Sequence, residues 1–394
     1  MLQKVGIHLG IDATNIRQGG GITHLSQLLQ AGDPLVEGID RVTVLVNQAA
    51  ATALPVRPWL FKVSLPWMDA SLPRRMLGQQ FQLPYALKAA GCEVLFSPGG
   101  TLPAWSPVPA VTMSQNMLPF EPAEAARFGS WSLMRLKMRL LRYSQGRSFR
   151  RADGLIFLTG YAQAAITNAL VDVSCPLALI PHGIEKRFLQ QPRQQRLLTD
   201  CTVENPFRVL YVSILMPYKH QVEVAHAASL LRSEGIPIEL RFIGAPWGDY
   251  GHQFKALLDE LDPGHEFLLW SGAEPFEVLH GFYQSADAFV FASSCENLPN
   301  ILIEAMAAGL PIASSDRGPM PEVLGDAGAY FDPEVSASIA NALRRLATDV
   351  PLRSTLAESA WHKAQAYSWE RCAQETFKFI AQAAQYKGSV NVWR

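Results

Sequence analysis

Two carboxylates eight residues apart, Glu296 and Glu304, stand in the stretch Ser293-Ser-Cys-Glu-Asn-Leu-Pro-Asn-Ile-Leu-Ile-Glu-Ala-Met-Ala-Ala-Gly-Leu-Pro-Ile-Ala313. The apolar run from Ala288 to Ala292, led by Asp287, predicts a buried parallel strand. Asn300 to Ala308 predicts a helix, closed by Gly309 and Pro311. A helix that opens just past a strand's carboxyl end presents unpaired amides at the mouth of a sheet, where phosphates bind. Glu304 falls about one turn inside it, on the face of Asn300 and Ile301, and can accept two hydrogen bonds from a vicinal diol. Glu296 and the backbone of Asn297, Leu298, Pro299 and Asn300 are left to meet a second polar group. The ligand this describes is polyhydroxylated and carries phosphate.

Two further stretches offer phosphate chemistry. Lys219 ends the loop Ser213-Ile-Leu-Met-Pro-Tyr-Lys219-His220 just before a helix predicted from Val222, which puts a mobile cation where a diphosphate would sit. Near the N-terminus, a strand over 5–11 leads through Gly19, Gly20 and Gly21 into a helix over 22–29. Glycine lets backbone approach a phosphate closely. The spacing is not G-x-G-x-x-G, and no acidic residue follows some twenty positions on at a strand end, which argues against a nicotinamide site.

Ser-x-x-Glu-Asn-x-Pro-Asn-x-x-x-Glu-Ala-Met-Ala-x-Gly-x-Pro resembles the signature of retaining glycosyltransferases of family four, which have the GT-B fold. The resemblance implies that Glu296 and the following amides hold the donor sugar, that Glu304 holds the nucleotide ribose, and that Gly20 and Gly21 reach the donor diphosphate. It also implies that Lys219 lies on that diphosphate. Ser213 and Ile214 stand where the family has Gly-Arg, so the second cation is missing. Gln115 and Asn116 replace a family His-Asp pair on the acceptor side, and neither titrates. The segment 177–184 is similar to the family's Ile-Pro-Asn-Gly-Val, with His182, read as a turn residue, in place of Asn.

The chain has 394 residues, 48% of them apolar, enough for two domains. A formal charge of −1 excludes an electrostatic nucleic-acid binder. Five scattered cysteines without a C-x-x-C pair imply reduced thiols and no structural zinc, and no DxD or His/Asp cluster points to a catalytic metal. No cofactor is expected, since a nucleotide-sugar would be a substrate. Cys295, beside Glu296, reads as a small buried residue at a strand end. The N-terminus enters a strand without a leader pattern and no apolar run is long enough to span a bilayer, so a cytosolic or membrane-peripheral protein is expected.

The elements that must position these residues alternate strand and helix, predicting an α/β protein of Rossmann-like doubly wound parallel sheets, and the resemblance implies two such domains facing across a cleft. The expected division is an acceptor-side domain over 1–189, a polar linker over 190–206 with two prolines, and a nucleotide-sugar domain over 207–369. A helix over 370–387 is expected to cross back onto the first domain. From Ala125 to Ala152 there are eight Lys or Arg and no acidic residue, interleaved with apolar side chains. Residues 127–151 therefore suit either an anionic membrane surface beside a lipid-linked acceptor or a helix packed on the sheet with solvated arginines. The resemblance implies retaining sugar transfer from GDP-mannose or a UDP-hexose to a saccharide or lipid-linked acceptor in bacterial surface polysaccharide synthesis. Competing expectations are a nucleotide-sugar epimerase on the same fold and a non-catalytic nucleotide-sugar-binding partner.

Overall fold

The computed structural model describes residues 6–17, 19–129 and 131–390, the last five without their side chains. Val5, expected to open the first strand, lies outside the described residues, as do Met1 to Lys4. The chain forms two compact units. Unit 1 holds residues 1–120, 136–183 and 368–394, and unit 2 holds residues 121–135 and 184–367.

Unit 1 carries β1 (Ile7–Ala13), β2 (Ile39–Val46), β3 (Leu60–Val63), β4 (Val94–Ser97), β5 (Ala110–Met113), β6 (Gly154–Phe157) and β7 (Leu177–Leu179). All pair in parallel, in the order β3-β2-β1-β4-β5-β6-β7. β4, β5 and β6 are wholly buried, as continuous apolar runs covered by helices on both faces must be. Residues 72–90 form two helices rather than one, Leu72–Phe81 and Leu83–Ala90. Pro84 has no N–H to extend the first helix, and its fixed φ suits the first turn of a second. The helix Trp369–Val390 packs in this unit, where its Phe377 fills the space a side chain at Gly32 would need and its Phe379 the space at Gly154.

Unit 2 repeats the plan with β8 (Phe207–Val212), β9 (Ile238–Ile243), β10 (Leu268–Trp270), β11 (Ala288–Phe291), β12 (Ile312–Ser315) and β13 (Gly328–Phe331). These are again all parallel, in the order β10-β9-β8-β11-β12-β13. Both sheets are therefore doubly wound, and each reverses its strand order once, between β1 and β4 and between β8 and β11. Among the described residues no helix is long and apolar enough to cross a membrane.

Residues 190–206, read as a linker, fold onto unit 2. Arg193 and Arg196 both pair with Asp287, at 3.0 and 2.5 Å, and Asp287 also accepts the backbone N–H of Arg208 at 2.9 Å. The cation pair pins the segment to the start of β11. The helix Asn300–Ala307 runs from the far end of that strand, and the same segment closes its other end, with Gln190 N donating to Ala307 O at 2.9 Å. Gly309 follows with φ +67°, and a Cβ there would lie 2.7 Å from Pro192 N and 2.8 Å from Gln190 O. Gly309→Ala is therefore expected to lower stability by about 2–4 kcal/mol, from left-handed backbone strain together with a backbone clash that cannot relax cheaply. A denaturant midpoint shifted by less than about 1 kcal/mol would contradict this origin for the glycine.

Candidate functional site

The switch point of the unit 2 sheet opens a crevice at the carboxyl ends of β8 and β11, as in open α/β sheets generally. Two loops enter it, Ser213–His220 after β8 and Ala292–Pro299 after β11. They are joined side by side: Ser294 N donates to Tyr218 O at 2.9 Å, and His220 Nε2 lies 3.0 Å from Ser294 Oγ. The phenol of Tyr211, at the core of β8, donates to the carbonyl of Lys219 and fixes the turn from below. His220, at φ +52°, then redirects the chain into the helix Gln221–Ser233.

That turn corrects one expectation. Lys219 is not a solvated cation at a helix start; it closes the short turn Pro217–Lys219 and is 5% exposed. Its ammonium donates to Glu296 Oε1 and lies 5.3 and 5.6 Å from the ring centres of Tyr218 and Phe291. A lysine this enclosed needs an anion against it, because desolvation of an unpaired ammonium costs several kcal/mol. Glu296 supplies that anion, so the two residues singled out separately in the sequence form one unit.

Glu304 is buried on the helix Asn300–Ala307 among Leu302, Ile303 and Met306. Burial pushes its carboxyl up from 4.5 to about 7, against the hydrogen bond that Tyr283 Oη donates at 2.8 Å. Glu185 adds to the rise and Arg187 offsets it. Glu304 and Ile301 wall a pocket of about 240 Å³ whose other sides come from Ser213, Ile214, Gly244 and Phe276. Arg187 stacks its guanidinium 4.2 Å from the Phe276 ring centre. Glu274 also lines the pocket, half-buried and without a hydrogen-bond or ion-pair partner among the described residues. Ile214, at the position of the missing arginine, sits partly exposed on the rim.

Asn297 and Leu298 are buried at the mouth of the Asn300 helix, but its amides are not all available. Pro299 has no N–H, and Asn300 N already donates to Leu298 O at 3.0 Å. Cys295 is buried, and burial with Glu296 beside it pushes its thiol well above the ordinary value, so no thiolate nucleophile forms there.

Residues 121–135 are part of this surface although they lie in sequence between β5 and β6 of unit 1. Ser294 Oγ donates to Glu124 Oε2 at 2.6 Å, Arg127 Nε donates to the same carboxylate at 2.7 Å, and Arg127 also pairs with Glu334. Phe128 packs edge-on against Tyr218 and Trp247, with centroids 6.2 and 5.0 Å away. Nothing in the local sequence marks this strap, since its partners lie more than eighty residues away.

In unit 1, Gly20 and Gly21 form the first turn of the helix Gly20–Ala31, not an open loop, and Gly19 alone carries positive φ. That leaves the turn's amides at a solvent-facing helix start. Gln115 Nε2 lies 3.3 Å from His24 Nδ1, and His24 stacks on His182, which in turn stacks on Trp369. Burial, then the neighbouring His182, holds the His24 imidazole well below its ordinary pKa, so it is neutral. Asn116 Oδ1 accepts Leu118 N at 3.1 Å and shapes its own turn.

Residues 202–363 match the family described as Glycosyl transferases group 1. Among curated proteins, O-antigen chain mannosyltransferase B of Escherichia coli is 30% identical over 170 residues, 42% of this chain and 44% of that protein. Lipopolysaccharide 1,2-N-acetylglucosaminetransferase of Salmonella typhimurium is 28% identical over 209 residues, 50% of this chain and 54% of that protein. The chain thus spans about half the length of these curated relatives. Among solved structures, Anabaena Alr3699/HepE in complex with UDP and glucose superposes with a TM-score of 0.70 at 18% identity, over 95% of this chain and 100% of that one. WaaG, a glycosyltransferase involved in lipopolysaccharide biosynthesis, gives 0.69 at 17%, over 95% and 99%. The two parallel-sheet units are those of the GT-B fold that such glycosyltransferases share.

The raised carboxyl of Glu304 has a measurable cost. Between pH 4.5 and about 7 the native state binds more protons than the unfolded chain, so stability falls as pH rises and the loss is complete above about 7. Glu304→Gln is therefore expected to melt higher than the parent at pH 8, by a free energy of up to about 3 kcal/mol, with the difference gone by pH 4.5. Thermal melts of both proteins across that range check it; a constant offset at every pH would contradict burial as the cause.

Proposed function

Residues 202–363 being a glycosyl transferases group 1 domain, we propose that this protein is a retaining, metal-independent hexosyltransferase. It moves a sugar from a nucleotide-sugar to a saccharide or lipid-linked acceptor in bacterial surface polysaccharide or lipopolysaccharide synthesis. The observation that carries the reading is the convergence of Lys219, Glu296 and Glu304 at one switch point. Glu304 takes the ribose diol, and its carboxylate form accepts both hydroxyls. Lys219 turns from Glu296 to the diphosphate, and Glu296 with Asn297 and Leu298 meets the sugar. The acceptor hydroxyl attacks the anomeric carbon from the side of the leaving group. As the new C–O bond forms and the C–O bond to phosphate breaks, the hydroxyl proton passes to the departing phosphate oxygen. Lys219 offsets the charge that develops there.

Of the two donor classes, GDP-mannose ranks before a UDP-hexose. Glu274 is a half-buried acceptor without a partner, and guanine offers it two adjacent N–H donors where uracil offers one between carbonyls. The similarity to an O-antigen chain mannosyltransferase supports the same order. Ile214 favours a second reading, a nucleotide-sugar binder without turnover, because one cation faces the diphosphate where the family has two.

Residues 127–151 bring the protein to the cytoplasmic face of an anionic membrane. Along the helix Leu133–Arg151, Leu133, Leu136, Leu140 and Tyr143 are exposed at spacings of three and four and form one solvent-facing stripe, with Lys137 and Arg139 beside it. Trp131 is fully exposed just ahead of it.

A thermal-shift screen of GDP, UDP, ADP and their sugar conjugates without added metal tests the donor site. One base family should raise the melting temperature by a few degrees, with the response lost in Glu304→Ala and Lys219→Ala. Equal responses in both variants would remove the site assignment, and binding without transfer to any acceptor would leave the non-catalytic reading. Replacing Arg139, Arg142 and Arg150 by Glu should abolish co-sedimentation with vesicles rich in anionic lipid; unchanged sedimentation would remove the membrane contact.

A further inference from the structure

Unit 1 has its own switch point, between β1 and β4, and a groove of about 340 Å³ opens beside it. Its floor is polar and rigid. Gln79 Nε2 donates to the buried carboxylate of Asp12 at 2.6 Å, and Asn15 Nδ2 donates to Gln79 Oε1 at 2.9 Å. Asp12 also takes hydrogen bonds from Thr14 Oγ1 at 2.7 Å and Ser97 Oγ at 3.2 Å. Both its oxygens are thus engaged, and it is not part of the groove's lining.

The walls are different. Leu72 and Met76 stand on one side and Leu141 and Tyr143 on the other, with Leu72, Met76 and Tyr143 more than half exposed. Arg75 and Arg147 complete the lining, and neither forms an ion pair among the described residues. Arg147 reaches only Ala104 O, at 3.5 Å. Burial, and then the charge of Arg17, hold the Arg75 guanidinium below its ordinary pKa. Outside the groove the apolar surface continues through Leu77 and Phe81, and through Tyr85 with Trp105 edge-on at 5.5 Å. Uncompensated guanidiniums beside exposed hydrocarbon at a strand-end crevice fit a ligand with an anionic head and an apolar tail.

We propose that this groove binds an anionic amphiphile, a phosphate or diphosphate ester on an apolar chain. Arg75 and Arg147 hold the phosphate, and Leu72, Met76 and Tyr143 lie along the chain. As the lipid end of the acceptor, this ligand rests on the glycosyltransferase reading; its binding to unit 1 does not.

The test is calorimetric titration of the full chain with decyl phosphate below its micelle concentration, beside inorganic phosphate and the uncharged decyl maltoside. Decyl phosphate is expected to bind at least about ten-fold more tightly than either control, and about ten-fold more weakly to Arg75→Gln/Arg147→Gln and to Met76→Asp. Both variants should keep the parent's nucleotide-induced thermal shift, which shows that they are folded. Equal affinity for inorganic phosphate would reduce the groove to a simple anion site, and equal affinity for decyl maltoside to a greasy patch; either overturns the proposal, as does unchanged binding by the variants. A parent that binds decyl phosphate as expected yet responds to no nucleotide would sustain the groove and defeat the donor site of unit 2.

Discussion

The contact between Lys219 and Glu296 is the interaction on which the unit 2 site turns. It joins loops from two strands whose connections diverge, and it lets an almost fully enclosed ammonium exist at all. At an effective dielectric of about 20, such a pair at contact is worth about 4 kcal/mol before desolvation is subtracted, which leaves little net gain. The pair therefore reads better as a charge kept in register than as a source of stability. An entering diphosphate offers more negative charge than one carboxylate, so the ammonium can change partner with a rotation of its own side chain. Glu296 is then released beside the space the sugar would occupy.

The same economy governs the surroundings. Tyr211 and Tyr283 each spend their one hydroxyl proton on the site, the first on the carbonyl of Lys219 and the second on the carboxyl of Glu304. Burial makes both phenols poor acids, so they act as fixed donors across the physiological range. Asp287 anchors the opposite end of β11 through Arg193 and Arg196, so the strand that delivers Glu296 is held by charge at one end and by the stitched loops at the other.

Much of this was legible in the sequence because it is local. Buried strands announced themselves as short apolar runs, and the Asn300 helix by the turn before it and Gly309 after it. What the sequence concealed depends on long-range partners. Lys219 was expected to be mobile because it stands just before a helix, whereas β8 packing and the left-handed turn at His220 direct it inward. Asn300 was expected to offer its amide, which the Leu298 carbonyl takes. The strap carrying Glu124 and Phe128 looked like part of the basic segment, and the polar stretch 190–206 like a linker, because composition reports solvation and not which surface a chain lies on. Asp12 passed unnoticed inside an ordinary strand, and its donors come from residues up to eighty-five positions away.

The boundary between the units is crossed four times, after residues 120, 135, 183 and 367. Unit 1 receives the helix Trp369–Val390 only after unit 2 has been synthesised, so the surfaces at Gly32 and Gly154 that Phe377 and Phe379 cover stay bare while all of unit 2 is being made. Vectorial folding therefore favours unit 2 completing before unit 1, the reverse of N-terminal-first order. The same braiding sets the rule for recombining halves of related proteins: a chimera joined at a single point near residue 184 would part the strap at 121–135 from the surface it was selected to cover.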